Sequence, residues 1–306
     1  MNAPALPVDR PLLGMGLRTV SSTSFAFMAA FLKAASERGA DTMEMLFYRS
    51  VCALPLVLAW AAFGPGLASL RTRRPMAHLT RSVIGLSTMV FTFGALSRLP
   101  LGEATTITYT APVFSTILSA IVLHEAIGGR RWAAVAIGFV GMLLVVRPGG
   151  GGGLAPVGVA MAVMAAFGQS AVMITLRQIG KTEHTAAIVF WFTSFGTLVG
   201  GALLPIFGHT HDATTYALLI GAGLCGGVGQ IGLTSSLRFA PVSVVVPFDY
   251  LQIIWATFIG WVIFASPPAS LTLAGAALIT ASGIYTAYRE SRQGQQPKQA
   301  LAPPEG

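Results

Sequence analysis

Ten apolar runs of bilayer-crossing length leave this chain little choice of solvent. A span needs about 20 predominantly apolar residues to traverse a hydrocarbon core of about 30 Å. Segments of about that length fall at approximately 12–35, 42–63, 76–97, 102–123, 130–147, 154–177, 185–207, 214–237, 242–264 and 269–288 of the 306 residues. Only 10% of the chain is charged against 54% hydrophobic, and the mean hydropathy is +0.70, values foreign to a soluble domain. The expected fold is therefore an all-α integral membrane protein with ten transmembrane helices.

A net charge of +8 and a pI near 10.1 would suit a nucleic-acid partner if the basic residues formed a patch. They are instead distributed by side. With the N-terminus inside, fourteen Lys and Arg, Arg18 and Arg81 among them, fall on the inner side. Four (Lys33, Arg38, Arg98 and Arg147) fall on the outer side, and Arg49 lies within a span. This is the asymmetry of the positive-inside rule, so the charge reports topology and no nucleic acid is implied. Cys52 and Cys225 both fall in spans and read as small apolar residues rather than a disulfide or metal framework. The first span is too long for a signal peptide and is interrupted by "SSTS", so it is expected to be retained. Residues 1–11 and 289–306 read as cytoplasmic tails, the latter polar, proline-rich and disordered.

The glycine-rich "RPGGGGGLAP" around 148–153 separates five spans from five, giving halves at 12–147 and 154–288. Because five is odd, the halves enter the membrane from opposite sides. Gly14 and Lys33 match Gly158 and Arg177 at one offset, and "LSRLP" (96–100) resembles "SLRFAP" (236–241). Together these point to an inverted repeat, the architecture secondary transporters use to build a midplane site.

At this point a resemblance can be named. "APVFSTILSAIVLHEAIGGRRWAAVAIGFVGMLLV" (111–145), with Pro112 thirteen residues before Glu125, and "FYRSV" (47–51), with its embedded arginine, resemble the EamA-type branch of the drug/metabolite transporter superfamily. In the second half, "FDYLQIIWATFIGWVIFAS" has Gln252 where the family's proline is usual and Ala265 where its glutamate is usual, and Asp249 is outside the general pattern. The resemblance implies ten helices with both termini cytoplasmic, helices 1–4 and 6–9 around a central cavity, and helices 5 and 10 peripheral. It also implies a bacterial inner membrane and substrates ranging over amino acids, nucleoside-like compounds and vitamins.

The candidate site residues are the polar groups the spans carry. An aspartate at a helix centre costs about 2.5 to 3.5 kcal/mol on insertion scales, so Asp249, about 10 Å below the cytoplasmic surface, needs a partner. Binding a cationic substrate group, carrying a coupling proton and locking two helices in an ion pair are the roles open to it. Pro247 frees the carbonyl of Ser243 beside it, and Gln252 follows one turn later on the same face. In span 4, Thr108 and Tyr109 precede Pro112, which breaks that helix; Tyr109 occupies the repeat position equivalent to Asp249, and paired broken helices point to a transport site. Thr105 and Thr116 are expected to bond back to their own helix. Arg49 requires an anion, for which Asp249, Glu103 and a substrate carboxylate are candidates. Glu44 and Glu103 are expected as hydrated carboxylates at outer helix ends, Glu103 being the better proton-pathway candidate, and Glu125 as a structural or gating ion pair. In span 8, Gly223 and Gly227 suit close helix packing. Gln230 on the same face needs a partner that a cavity wall would supply. Phe91, Phe167, Trp191, Tyr250 and Trp255 could line an apolar part of the site.

No Walker loop, Rossmann fingerprint or zinc-protease motif is present, and "HTHD" (209–212) is too sparse for a metal site, so no cofactor or metal is expected. The reading is a non-enzymatic secondary active transporter for a small polar organic metabolite, with an amino acid or related zwitterion favoured. It would work by alternating access, with protons as a candidate coupling ion and a homodimer left open. The alternatives are a non-transporting sensor or scaffold and a membrane-embedded enzyme.

Overall fold

The computed structural model describes residues 10–122, 129–147, 154–180, 182–240 and 242–294, and among them every regular element is helical. The first half contains α1 (Pro11–Glu37), α2 (Thr42–Phe63), α3 (Pro75–Leu96), α4 (Leu101–Thr108), α5 (Ala111–Val122) and α6 (Gly129–Val146). The second contains α7 (Pro156–Ile179), α8 (Thr185–Phe207), α9 (Ala213–Phe239), α10 (Val242–Val245), α11 (Leu251–Val262) and α12 (Ser270–Gly294). By length and composition α2, α3, α8, α9 and Pro156–Leu176 of α7 can each cross a bilayer unaided. Glu125 lies outside the described residues.

Spans 4 and 9 are each interrupted. α4 ends at Thr108 and α5 restarts at Ala111, with Pro112 in its first turn, where a missing N–H costs nothing. α10 gives way to a 3-10 segment over Val246–Tyr250 containing Pro247, and α11 resumes at Leu251. Both interruptions follow from proline, which withdraws an intrahelical donor and crowds the preceding turn.

The packing repeats with the chain. α1 lies along α9 as α3 lies along α7, and α1 meets α11 as α7 meets α4 and α5. α2 packs on α8, and α6 on α12. Exchanging each span for the one five places later maps these pairs onto one another, so the bundle is two pseudo-symmetric halves of five spans. With an odd number of spans per half, the halves are inverted in the membrane. At the end where α1 finishes and α2 begins, Leu32, Ala35, Met45, Leu46, Leu96, Leu99 and Leu101 form an apolar plug with Leu219, Ala222, Ala256 and Ile259 of the second half.

α6 and α12 cross with their backbones in contact. A Cβ on Gly141 would stand 2.9 Å from the Gly275 carbonyl oxygen and 3.1 Å from Leu278 Cβ. Overpacking of this kind typically costs about 1–3 kcal/mol. Gly141→Leu should therefore lower the thermal midpoint of the purified protein in detergent by several degrees. Gly16→Leu, at a glycine with open space around it, should leave that midpoint in place.

Candidate functional site

A cavity of about 290 Å³ lies inside the bundle, walled by α1, α2, α3, the break in span 4, α7, α8, α9, the break in span 9 and α12. Both halves contribute. Its lining is mostly apolar, with Phe25, Met28, Met89, Phe93 and Phe192 among the larger groups, interrupted by a few buried polar side chains.

The 3-10 segment carries Asp249 into the cavity wall facing α1. There Arg18 grips it with a two-pronged ion pair, Nε donating to one carboxylate oxygen and Nη2 to the other. Ser22, one turn further along α1, donates to Oδ1 at 3.4 Å, and Arg18 Nη1 donates to the Leu233 carbonyl of α9 at 3.4 Å. The side chain of Arg18 is 2% exposed and that of Asp249 21%. The planar guanidinium fork matches the two oxygens, the arrangement that best compensates the cost of taking both charges from water.

Across the second break, Tyr109 donates to Gln252 Oε1 at 2.7 Å and its ring lies 5.7 Å from that of Tyr250. The two interrupted spans thus meet side chain to side chain. The Tyr250 hydroxyl is buried against α12 and has no hydrogen-bond partner among the described residues. Thr108 reaches the lining, though its hydroxyl is used on the carbonyl of Ala104. Thr116 is likewise bonded back, to Pro112.

On the opposite wall Arg49 donates through Nη2 to Gln230 Oε1 at 3.2 Å, and Gln230 Nε2 faces Thr234 at 3.5 Å. Arg49 and Arg81 both stand over the Phe192 ring, 5.3 and 4.3 Å from its centroid.

Several expectations are corrected by this geometry. Asp249 does not pair with Arg49. Its partner is Arg18, which, with Arg81, was counted among the inner-side charges. Both arginines are buried cavity residues, because each sits about two turns inside its helix and turns inward. Glu103 lies away from the cavity, accepting from Thr272, which in turn accepts from Arg147 at 3.1 Å. Trp255 is also outside the lining, packed on Phe27 with the rings 6.2 Å apart. Phe167 is turned outward to Phe114, and Trp191 donates to the Leu70 carbonyl. Glu44 is buried, not hydrated. It closes the capping box of α2 and accepts from His209 N at 2.7 Å and His211 Nε2 at 3.0 Å, which pins the loop before α9. In that loop Asp212 caps α9, and its bonds from the Thr215 side chain and backbone hold its carboxyl below the usual range. Among the described residues no group of three or more metal-ligating side chains forms.

Inverted five-span halves around an internal cavity, mostly apolar but set with buried polar side chains, define a multi-pass membrane carrier fold. The chain belongs to the EamA-like transporter family, whose model matches it twice, at residues 12–147 and 156–288. It is 30% identical to a riboflavin transporter of Rhizobium johnstonii over 76% of each chain. It is 28% identical to the pseudopaline exporter CntI of Pseudomonas aeruginosa, covering 89% of this chain and 94% of that one. An S-adenosylmethionine uptake transporter of Rickettsia felis is 24% identical over 92% and 94%. A crystal structure sharing 20% identity superposes with a TM-score of 0.59 over 91% of this chain and 98% of the other, a likeness of fold. The relatives are transporters rather than enzymes, and the drug/metabolite transporter assignment stands.

Removing one member of a buried ion pair strands the other. Asp249→Asn should destabilise the protein by about 3 kcal/mol, whereas Arg18→Met combined with Asp249→Leu should recover most of that loss. Denaturant titration in detergent checks this: equal midpoints for Asp249→Asn and wild type would show that the pair does not hold α1 to the ninth span.

Proposed function

We propose that this protein is a secondary active transporter that carries a small polar organic metabolite through the central cavity by alternating access. The observation that carries the reading is the cavity itself. Both halves build it, both interrupted spans line it, and an apolar plug to which both halves contribute packs the end of the bundle where α1 finishes. In an inverted repeat each half can adopt the other's packing, which exchanges the plugged end for the open one. The substrates named for the relatives, riboflavin, pseudopaline and S-adenosylmethionine, support a small-molecule cargo.

The zwitterionic substrate favoured from the sequence needed a free Asp249 for an ammonium group and Arg49 for a carboxylate. In this conformation Asp249 is taken by Arg18, so the carboxylate half of that reading is the better supported. Asp249 suits coupling. Protonating it removes the charge that holds Arg18, loosening α1 from the ninth span at the point where the helix is already interrupted. A proton could in this way be exchanged for a change in helix packing.

The test uses the protein reconstituted in lipid vesicles and a metabolite library screened by thermal stabilisation, since a ligand that binds only the folded state raises its stability. Stabilising compounds then enter counterflow and pH-gradient assays. The expectation is saturable counterflow in wild type, accelerated by an imposed proton gradient. Asp249→Asn should retain exchange and lose the acceleration. Gradient-driven uptake by that variant at the wild-type rate would remove Asp249 from the coupling path. A library in which no compound moves would sink the transport reading.

A further inference from the structure

Three guanidinium groups line the cavity and one carboxylate answers them. Among the described lining residues Asp249 is the single acid, and Arg18 occupies both of its oxygens. Arg49 has one neutral acceptor, Gln230, while its Nε and Nη1 are buried without a partner among the described residues. Arg81 is in the same position, with Nε and Nη1 buried and unpartnered. Each residue is 3% exposed. Glu183, near the start of α8, is engaged with His78 at 3.3 Å and is not part of the lining.

What the two cations share is Phe192. Because both stand over its ring, they can be no further apart than the sum of their distances to its centroid. An aromatic face compensates a guanidinium only in part, and an unpaired buried charge is among the costliest groups a protein can hold. The placement is nonetheless built for. Gly85, one turn beyond Arg81 on α3, leaves the notch in which the guanidinium lies. A Cβ there would overlap Arg81 Nη1 and stand 2.8 Å from the Phe192 ring. Two rigid forks in the wall of one cavity, each with unsatisfied donors and no counter-charge among the described lining residues, describe half of an oxyanion site.

We infer that Arg49 and Arg81 form an anion-binding subsite, and that the substrate is an organic oxyanion. Its carboxylate or phosphate bridges the two guanidinium groups, and its apolar or ring-bearing part lies against Phe192, Phe93 and Met89. This rests on the proposed transport function and narrows its substrate class. Gln230 fixes the orientation of Arg49, and the Arg18–Asp249 pair is left out of anion recognition.

Three probes with a common ring separate the possibilities: benzoate, phenyl phosphate and the uncharged benzamide, each titrated against the thermal midpoint of the purified protein. An anion is expected to act at a concentration at least tenfold lower than benzamide, and the more effective of benzoate and phenyl phosphate identifies the oxyanion. Arg49→Gln and Arg81→Gln should each weaken that anion at least tenfold. Arg81→Gln should also melt no lower than wild type without ligand, because it removes a cation that had no counter-charge. Gly85→Ala keeps every charge but displaces the Arg81 fork, and it should show the same loss. Equal effects of benzamide and both anions, or anion binding unchanged in the three variants, would overturn the subsite. Counterflow on the same preparations separates this from the transport reading. If a neutral or cationic metabolite is carried equally by wild type, Arg49→Gln and Arg81→Gln, transport stands and the subsite falls. If arginine-dependent anion stabilisation persists while nothing is carried, the subsite stands and transport falls.

Discussion

A guanidinium taken out of water has to be answered by charge, and that requirement organises the interior of this bundle. At the low effective dielectric of a buried site, opposite charges in contact attract far more strongly than in water, but each has first lost its hydration. The Arg18–Asp249 pair meets both terms with two parallel hydrogen bonds and a third contact from Ser22. It also decides geometry. Asp249 can face α1 only because Pro247 prevents a regular helix there and the 3-10 segment turns the carboxylate toward the cavity. The broken span and the ion pair are therefore one device: the break supplies the position, and the pair supplies the reason to hold it.

The same device accounts for how little else joins the cavity's two sides. Tyr109 and Gln252 link the interrupted spans through one hydrogen bond, and the interior is otherwise apolar surface interrupted by donors. The plugged end is held differently, by close-packed apolar side chains from both halves, Leu32, Met45, Leu46 and Leu101 of the first with Leu219, Ala222 and Ile259 of the second. Packed aliphatic contacts are short-ranged and numerous, so that end closes as a unit. The cavity wall depends on a handful of directional contacts, each of which a ligand or a proton can replace.

Much of this fold was legible because a bilayer reads sequence coarsely. Length and hydropathy locate spans, and Pro112 and Pro247, which forfeit a donor, mark the two interruptions, whereas Pro55 and Pro205 lie within helices that continue through them. The candidate site was legible only in part. Asp249, Tyr109, Gln252, Gln230 and Arg49 announce themselves as polar groups in apolar runs, and the structure brings all five to the cavity. Arg18 and Arg81 do not, because an arginine two turns inside a helix can snorkel to the headgroups or turn inward with equal ease. Periodicity names a face without naming what it faces, which is why Glu103 and Trp255 were misplaced. Phe192 carried no signal, as an aromatic on an apolar helix is ordinary. The spacing of Gly85 from Arg81, one turn apart on one face, was the available clue to a guanidinium lying back along its own helix.

The two halves repeat in backbone and part company in chemistry, and Arg49 and Phe192 show how. Counted from the first residue of their helices, Thr42 and Thr185, both occupy the same position, and α2 and α8 pack on each other. The pseudo-symmetric equivalents therefore meet across the axis, one a cation and the other the ring beneath it. Had the halves kept identical residues there, two arginines would repel or two rings would stack, and neither arrangement distinguishes one side of the cavity from the other. Divergence makes the site polar along a fixed direction. All three cavity arginines come from the first half, while Asp249, Gln230 and Gln252 come from the second. A symmetric scaffold can interchange its two ends, whereas an asymmetric lining can hold an unsymmetrical molecule in one orientation. This chain combines the two by keeping the pairing of its helices and the interruption of spans 4 and 9, and changing the side chains that face the cavity.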